Sequence, residues 1–409
     1  MKKPKLLAPA GDLEKLKTAI DYGADAVYFG GKMYGLRANA ANFDFDEMKN
    51  GADYAHSFGR QVFVTINILA HNTDLENIHS YIRNVIAAGV DGIIASDPGI
   101  ISIIRSIDKK IHISLSTQSS CTNYATANFW HEAGVNRIVL ARELSKNEIA
   151  DIIKKTPDTL QIEIFAHGAM CIAYSGRCLL SNIMTARNAN SGDCAQSCRW
   201  NYYLMEESRK GEYFPVFEDD RGTYIFNSKD LCLIRHIDEI AQMGVDVIKI
   251  EGRMKTEFYI ATVVGAYRKA IDAYCDNPTD YKFNEEWLNE LKKISYREYT
   301  TGFFNGRADS TSQNYESSSY VRDWEFAGVI MDYNEKTKVA TVQQRNKVLT
   351  GAYIEIIGPH RDYIPHTIDQ MRDISGNIIQ SAPNAMQIFC FNIDAPVKKG
   401  DFIRQKKSN

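Results

Sequence analysis

The first 275 residues of this chain of 409 repeat one theme, an apolar run followed by an amphipathic helical pattern. The runs are LLAPAG, DAVYFGG, QVFVTINIL, DGIIAS, HISLST, NRIVLAR, QIEIFA and DVIKIEG, which makes eight strand candidates. Four junctions share a design, DYGADAV, AAGVDGI, EAGVNRI and QMGVDVI, with a glycine between helix and strand. Gly23, Gly89, Gly134 and Gly244 can take the left-handed conformation that ends a helix without a Cβ clash. Strands alternating with helices require a parallel sheet covered on both faces. Eight such units predict a closed α/β barrel of the (β/α)8, TIM-like kind rather than an open doubly wound sheet.

The series is broken once, after strand seven. The stretch Glu163–Trp200 holds Cys171, Cys178, Cys194 and Cys198, and Cys232 follows in SKDLC. In a parallel barrel the loop after a strand lies on the C-terminal face, where active sites sit. The insertion 171–232 is therefore expected over the barrel mouth, with a small antiparallel excursion in its alternating aromatics. The barrel pattern ends at 275. Residues 276–324 read as one more helix and a long loop, whose YTTGFF run carries too many aromatics for free solvent and is expected to fold over the mouth. From 325 to 409 the texture is all-β, with a hairpin turning near NEK, and predicts a small separate barrel or sandwich.

The formal net charge of -3 argues against a strongly basic nucleic-acid binder and leaves room for a local basic patch. The N-terminus has too short an apolar run for a signal peptide, and no segment approaches the length of a membrane span. A cytoplasmic, reducing setting is the expectation, and clustered cysteines there mean metal or catalysis more often than disulfides. Successive spacings of 7, 16, 4 and 34 residues lack the paired C-x-x-C arms of a zinc ribbon. Three readings remain: an iron–sulfur cluster, which irregular spacing on a loop-rich stretch favours, a structural zinc, or unliganded redox thiols. Cys121, Cys275 and Cys390 read as buried structural thiols.

Polar residues fall at strand ends: Asn67, Asp97, Gln118, Arg142, Glu143, His167, Glu251 and Arg253. Such positions carry catalytic groups in barrels of this kind. The plain alternative is that some close the barrel with ion pairs, such as Arg142 with Glu251.

The run EIFAHGAMCIAYSGRCLLS, from Glu163 to Ser181, resembles the signature of the peptidase U-32 family. LLAPAG, LRANAANF, IEGRMK and YTTGFF are similar to the same family, so the likeness spans most of the chain. It implies one of two activities. The family was named for collagenase-like proteolysis, whereas better-understood relatives are oxygen-independent hydroxylases that carry a 4Fe–4S cluster, some drawing the hydroxyl from prephenate. The domain layout most resembles the branch that forms 5-hydroxyuridine at the tRNA wobble position. In that likeness the cluster ligands are Cys171, Cys178, Cys194 and Cys232, with Cys198 spare.

The residues themselves offer proteolysis little. There is no His-Glu-x-x-His motif and no Gly-x-Ser-x-Gly elbow. A dyad of Cys171 with His167 would need a free thiolate, which cluster ligation forbids. Under the hydroxylase reading His167, Arg253, Arg142 and Glu251 are the catalytic candidates, and Arg37, Asn67 and Gln118 the substrate-binding ones. Arginines suit a dicarboxylate such as prephenate because a guanidinium pairs with carboxylate in bidentate fashion. The tRNA contacts would come from Lys336, Lys338, Arg345 and Lys347 and from Lys398, Lys399, Arg404, Lys406 and Lys407, unless these are a solvated basic tail. Some relatives work in pairs, which makes a second family member a candidate partner and a non-catalytic subunit the third reading.

Overall fold

The computed structural model describes residues 2–35, 41–170, 229–306 and 320–407, with short pieces at 184–185, 187, 194–195, 197, 203–204 and 214–215. Seven strands run in parallel order: β1 (Lys5–Pro9), β2 (Ala26–Gly30), β3 (Gln61–Ile66), β4 (Gly92–Ala95), β5 (His112–Leu115), β6 (Arg137–Val139) and β7 (Gln161–Ala169). Inside the insertion two-residue strands β8 (Tyr203–Leu204) and β9 (Phe214–Pro215) pair antiparallel. After β10 (Asp230–Cys232) comes β11 (Val247–Ile250), which pairs in parallel with both β1 and β7. That double pairing closes the sheet into an eight-stranded barrel and decides against the open sheet.

The local causes are those the sequence displays. Gly23, Gly89, Gly134 and Gly244 all have positive φ, between 84° and 101°. Asp44 and Ser145 each cap a helix through a reciprocal box with Glu47 and Glu148, satisfying donors the first turn leaves orphaned. Asp97 accepts from the Ile100 N–H at the start of the helix Pro98–Ile107, so it serves as a helix cap. Outward-facing strand residues such as Val27, Phe29, Val64, Ile93 and Ile113 are buried against the helices. The alternate residues Leu7, Tyr28, Phe63, Ile94 and Val247 form a separate interior layer. Each large side chain so buried contributes about 1.5–3 kcal/mol.

The barrel interior also holds charge. Glu163 is fully buried, 3.2 Å from Arg137 Nη1 and 2.9 Å from Lys249 Nζ. The Arg137 guanidinium lies 4.7 Å from the Phe63 ring and the Lys249 ammonium 4.4 Å from the Tyr28 ring. One carboxylate thus serves two cations, and aromatic faces take part of the remaining charge.

Beyond the barrel, β12 (Tyr299–Thr300) pairs in parallel with β10, which is itself antiparallel to β7. Phe304 is buried, and its carbonyl accepts from the Lys146 N–H. The YTTGFF run is therefore part of the packed structure and not a free linker. Eight of the C-terminal strands form one antiparallel sheet, curled into a half-barrel, whose first hairpin joins Trp324–Asn334 to Val339–Gln344, and Val348–Leu349 pairs separately with Ser381–Ala382. Its core includes Ile330, Val342, Ile354, Phe389 and Ile403. It packs on the barrel through Tyr22 against Phe402 and Phe258 stacked on Phe326 at 5.4 Å. Arg404 lies at this seam, fully buried, donating to Glu355 at 2.7 Å and to Glu290 at 2.8 Å. The expected phosphate contact is thus a structural ion pair at that position, because the strand Phe402–Lys406 turns Arg404 inward opposite Glu355. Arg345 is likewise engaged, 3.7 Å from Glu257.

Candidate active site

The site grows from the end of β7. In the ladder between β7 and β10, Cys232 stands opposite His167 and Leu231 opposite Gly168. Gly168 has φ 109°, and a Cβ there would lie 2.7 Å from the Glu251 carbonyl oxygen. Only glycine allows both the turn of the backbone and that approach. The Glu251 N–H donates to the His167 carbonyl at 2.9 Å, which locks the ends of β7 and β11 together.

His167 and Cys232 are buried, and three tyrosine rings, Tyr259, Tyr267 and Tyr299, lie 5.4–6.1 Å from the imidazole. The Tyr267 hydroxyl donates to the Ala166 carbonyl at 2.8 Å and sits 3.5 Å from His167 Nδ1 and 3.9 Å from Cys232 Sγ. Burial, with the Lys255 charge adding to it, pulls the imidazole down to about 3. Burial pushes the Cys232 thiol up to about 11. Burial thus favours the neutral imidazole at His167.

Beside it, Arg142 is nearly buried, with Nη2 3.6 Å from Glu251 Oε2, Nη1 donating to the Ala169 carbonyl at 2.5 Å, and its guanidinium 3.9 Å from the Phe165 ring. The Arg142–Glu251 ion pair is thus present as a barrel closure. A small cleft, about 20 Å³ in volume, opens next to Arg142, lined by Phe165, Leu231, Thr301 and Phe304 among others. The strap after β12 forms one of its walls.

Arg253 is buried on the other side of the mouth. Its Nη1 donates to Thr65 Oγ1 at 3.2 Å and its Nη2 to Asn42 Oδ1 at 2.6 Å. A Cβ on Gly30 would fall 2.2 Å from Nη2, so the backbone of β2 is bare where the guanidinium passes. Asn67 Nδ2 lies 3.5 Å from Ser116 Oγ, which in turn lies 3.5 Å from Gln118 Oε1. Arg142, His167, Glu251, Arg253, Asn67 and Gln118 lie at or just beyond the C-terminal ends of barrel strands. Arg37 lies outside the described residues.

Of the cysteines, Cys232 is buried and Cys194 half-buried, while Cys171, Cys178 and Cys198 lie outside the described residues. Among the described residues alone, no group of three metal-ligating side chains converges. Of the three thiols expected to be structural, Cys121 is fully buried, whereas Cys275 and Cys390 are only half-buried. Sequence reading missed Thr65 and Asn42, which hold Arg253, and the tyrosines around His167. Tyr259 and Tyr267 stand eight apart on the helix Glu257–Asp276. That spacing puts both rings on one face, a signal visible in the sequence.

Fold and site together define an α/β-barrel protein whose arginines, glutamate and buried cysteine–histidine pair gather at the C-terminal mouth. The chain belongs to peptidase family U32. The profile named "Peptidase family U32" matches residues 11–314, and that of the "Peptidase family U32 C-terminal domain" matches residues 322–404. It is 43% identical to tRNA hydroxylation protein P1 of Bacillus subtilis (strain 168), over 99% of this chain and 96% of that protein. It is 37% identical to tRNA hydroxylation protein P of Escherichia coli (strain K12), over 94% of this chain and 92% of that protein. A shorter relative, tRNA hydroxylation protein P2 of Bacillus subtilis (strain 168), is 32% identical over 74% of this chain and 98% of its own length. No helix among the described residues is long and apolar enough to cross a membrane.

Proposed function

We propose that this chain hydroxylates tRNA, converting the wobble uridine to 5-hydroxyuridine without dioxygen. The observation that carries the reading is near full-length similarity to proteins named for tRNA hydroxylation, 43% identity over 99% of the chain in one case. The arrangement at the mouth supports it. Replacing a ring C–H by C–OH removes two electrons from the base, so the reaction needs a two-electron acceptor besides the hydroxyl source, and a 4Fe–4S cluster, when bound, would supply the one-electron path to it. Cys171, Cys178, Cys194 and Cys232 would hold it. Cys232 suits that role because it is buried, lies on a short strand tied to the barrel wall, and has aromatic rings around it that exclude water. Its thiol favours the protonated form in that apolar setting, so ligation would release a proton.

The remaining residues take roles their positions allow. Arg253 and Arg142 would bind carboxylates of a hydroxyl donor such as prephenate. Glu251 would orient Arg142, and Asn67 and Gln118 would contact the base. His167, held neutral, would orient the loop or accept a hydrogen bond. A peptidase finds less support, since an imidazole walled in by three tyrosines is poorly placed to serve as a base for a peptide substrate. A partner subunit related to the shorter P2 protein remains compatible with this assignment.

Nucleoside analysis of tRNA from a strain lacking this gene tests the reading. Loss of 5-hydroxyuridine derivatives, restored by this gene alone, is the expected result. Restoration only with a second family member would assign this chain a subunit role, and unchanged nucleosides would end the proposal.

A further inference from the structure

We infer that Lys255 and Arg322, gathered round the Tyr320 ring, form the surface that grips the tRNA backbone beside the barrel mouth. The inference rests on the tRNA reading above and names the part of the molecule that would make the contact. Three cations surround one ring: Lys255 Nζ lies 4.8 Å, the Arg297 guanidinium 4.9 Å and the Arg322 guanidinium 5.7 Å from the Tyr320 centroid. Among the described residues neither Lys255 nor Arg322 has a carboxylate partner, and Arg322 is exposed. In a chain of net charge -3 such a gathering is a local departure. Arg297 is engaged elsewhere as well, so the excess charge lies on Lys255 and Arg322, and the negative face of one neutral ring offsets only part of it. A polyanion would complete the balance.

The position matters as much as the charge. Lys255 lies two residues beyond Arg253, and its ammonium is also 5.1 Å from the Tyr259 ring, whose hydroxyl donates to the Glu251 carbonyl at 3.1 Å. One side chain therefore joins the cationic cluster to the wall of the site. Tyr320 and Arg322 lie just before Trp324, where the half-barrel begins. A nucleotide must leave its stack to reach a barrel mouth, and its flanking phosphates then lie at the rim. The cluster occupies such a rim. Three cations around the Tyr320 ring leave it badly placed to stack a base, so the contact is with phosphate and independent of sequence.

The experiment measures binding of a tRNA transcript to the full-length protein across a potassium chloride series, for wild type, Lys255→Ala, Arg322→Ala and the double variant. Lys154→Ala, an exposed position at the far end of the helix Lys146–Lys155, controls for net charge. The expected result is weaker binding, with a salt dependence shallower by roughly one unit for each phosphate no longer neutralised. The control should match wild type, and thermal midpoints should be unchanged. If wild type binds tRNA and the double variant keeps both affinity and salt slope, this inference is overturned while the tRNA reading stands. If wild type itself does not bind, the tRNA reading fails and this inference with it.

Discussion

Arg253 is held by one hydroxyl and one amide oxygen, from Thr65 and Asn42, on two different guanidinium nitrogens. A lysine ammonium is a point donor and cannot span both. Arg253→Lys should leave the fold and thermal midpoint near wild type while turnover falls by about tenfold or more; equal turnover would remove Arg253 from the site. Gly168 makes a different kind of demand. Gly168→Ala combines a positive φ with a 2.7 Å approach to the Glu251 carbonyl. It should cost about 2–3 kcal/mol in urea unfolding. His112 supplies the pH dependence. Its ring is packed against Phe63, and burial, with the charges of Arg137, Arg105 and Lys5 adding to it, holds its pKa at about 3 against the ordinary 6.5. The folded state keeps it neutral while the unfolded chain takes up a proton, so stability falls as pH drops through the unfolded value and goes on falling toward the folded one. Relative to His112→Asn, wild type should lose about 1 kcal/mol between pH 6.5 and 5.5, steepening toward about 1.4 kcal/mol per unit below that. Parallel pH profiles of the two proteins would contradict this.

At the scale of elements, the barrel was legible because its causes are local. Strand runs, helix faces and the four junction glycines each act within a dozen residues, and the closure of β11 onto β1 and β7 follows from their number. The Arg142–Glu251 pair could also be named from the sequence, since both residues end strands on one face. What escaped notice depends on partners distant in the chain. β10 and β12 span three and two residues, and only the ladder from β7 outward makes them strands. Arg404 looked like part of a basic tail because Glu355 and Glu290, which claim it, lie 49 and 114 residues away. Thr65 and Asn42 carried no mark of their tie to Arg253, being 188 and 211 residues from it.

For the whole molecule, the question is what keeps the half-barrel fixed on the barrel. Arg404 is fully enclosed between Glu355 of its own sheet and Glu290 of the helix Glu285–Leu291, and Lys293 reaches Glu355 at 2.8 Å. Removing the guanidinium leaves carboxylates in a dry seam with one cation for both. Arg404→Met should lower stability by about 3 kcal/mol, and calorimetry should split one unfolding transition into two. A single transition at the wild-type midpoint would show that the seam does not depend on Arg404.

β10 carries Cys232 on the face of β7, and its other edge takes up β12. The sulfur and the strap that leads toward the second domain are thereby hung from one narrow tab of backbone. A shift of this tab at the thiol would therefore also move the strap, whose Thr301 and Phe304 wall the cleft beside Arg142.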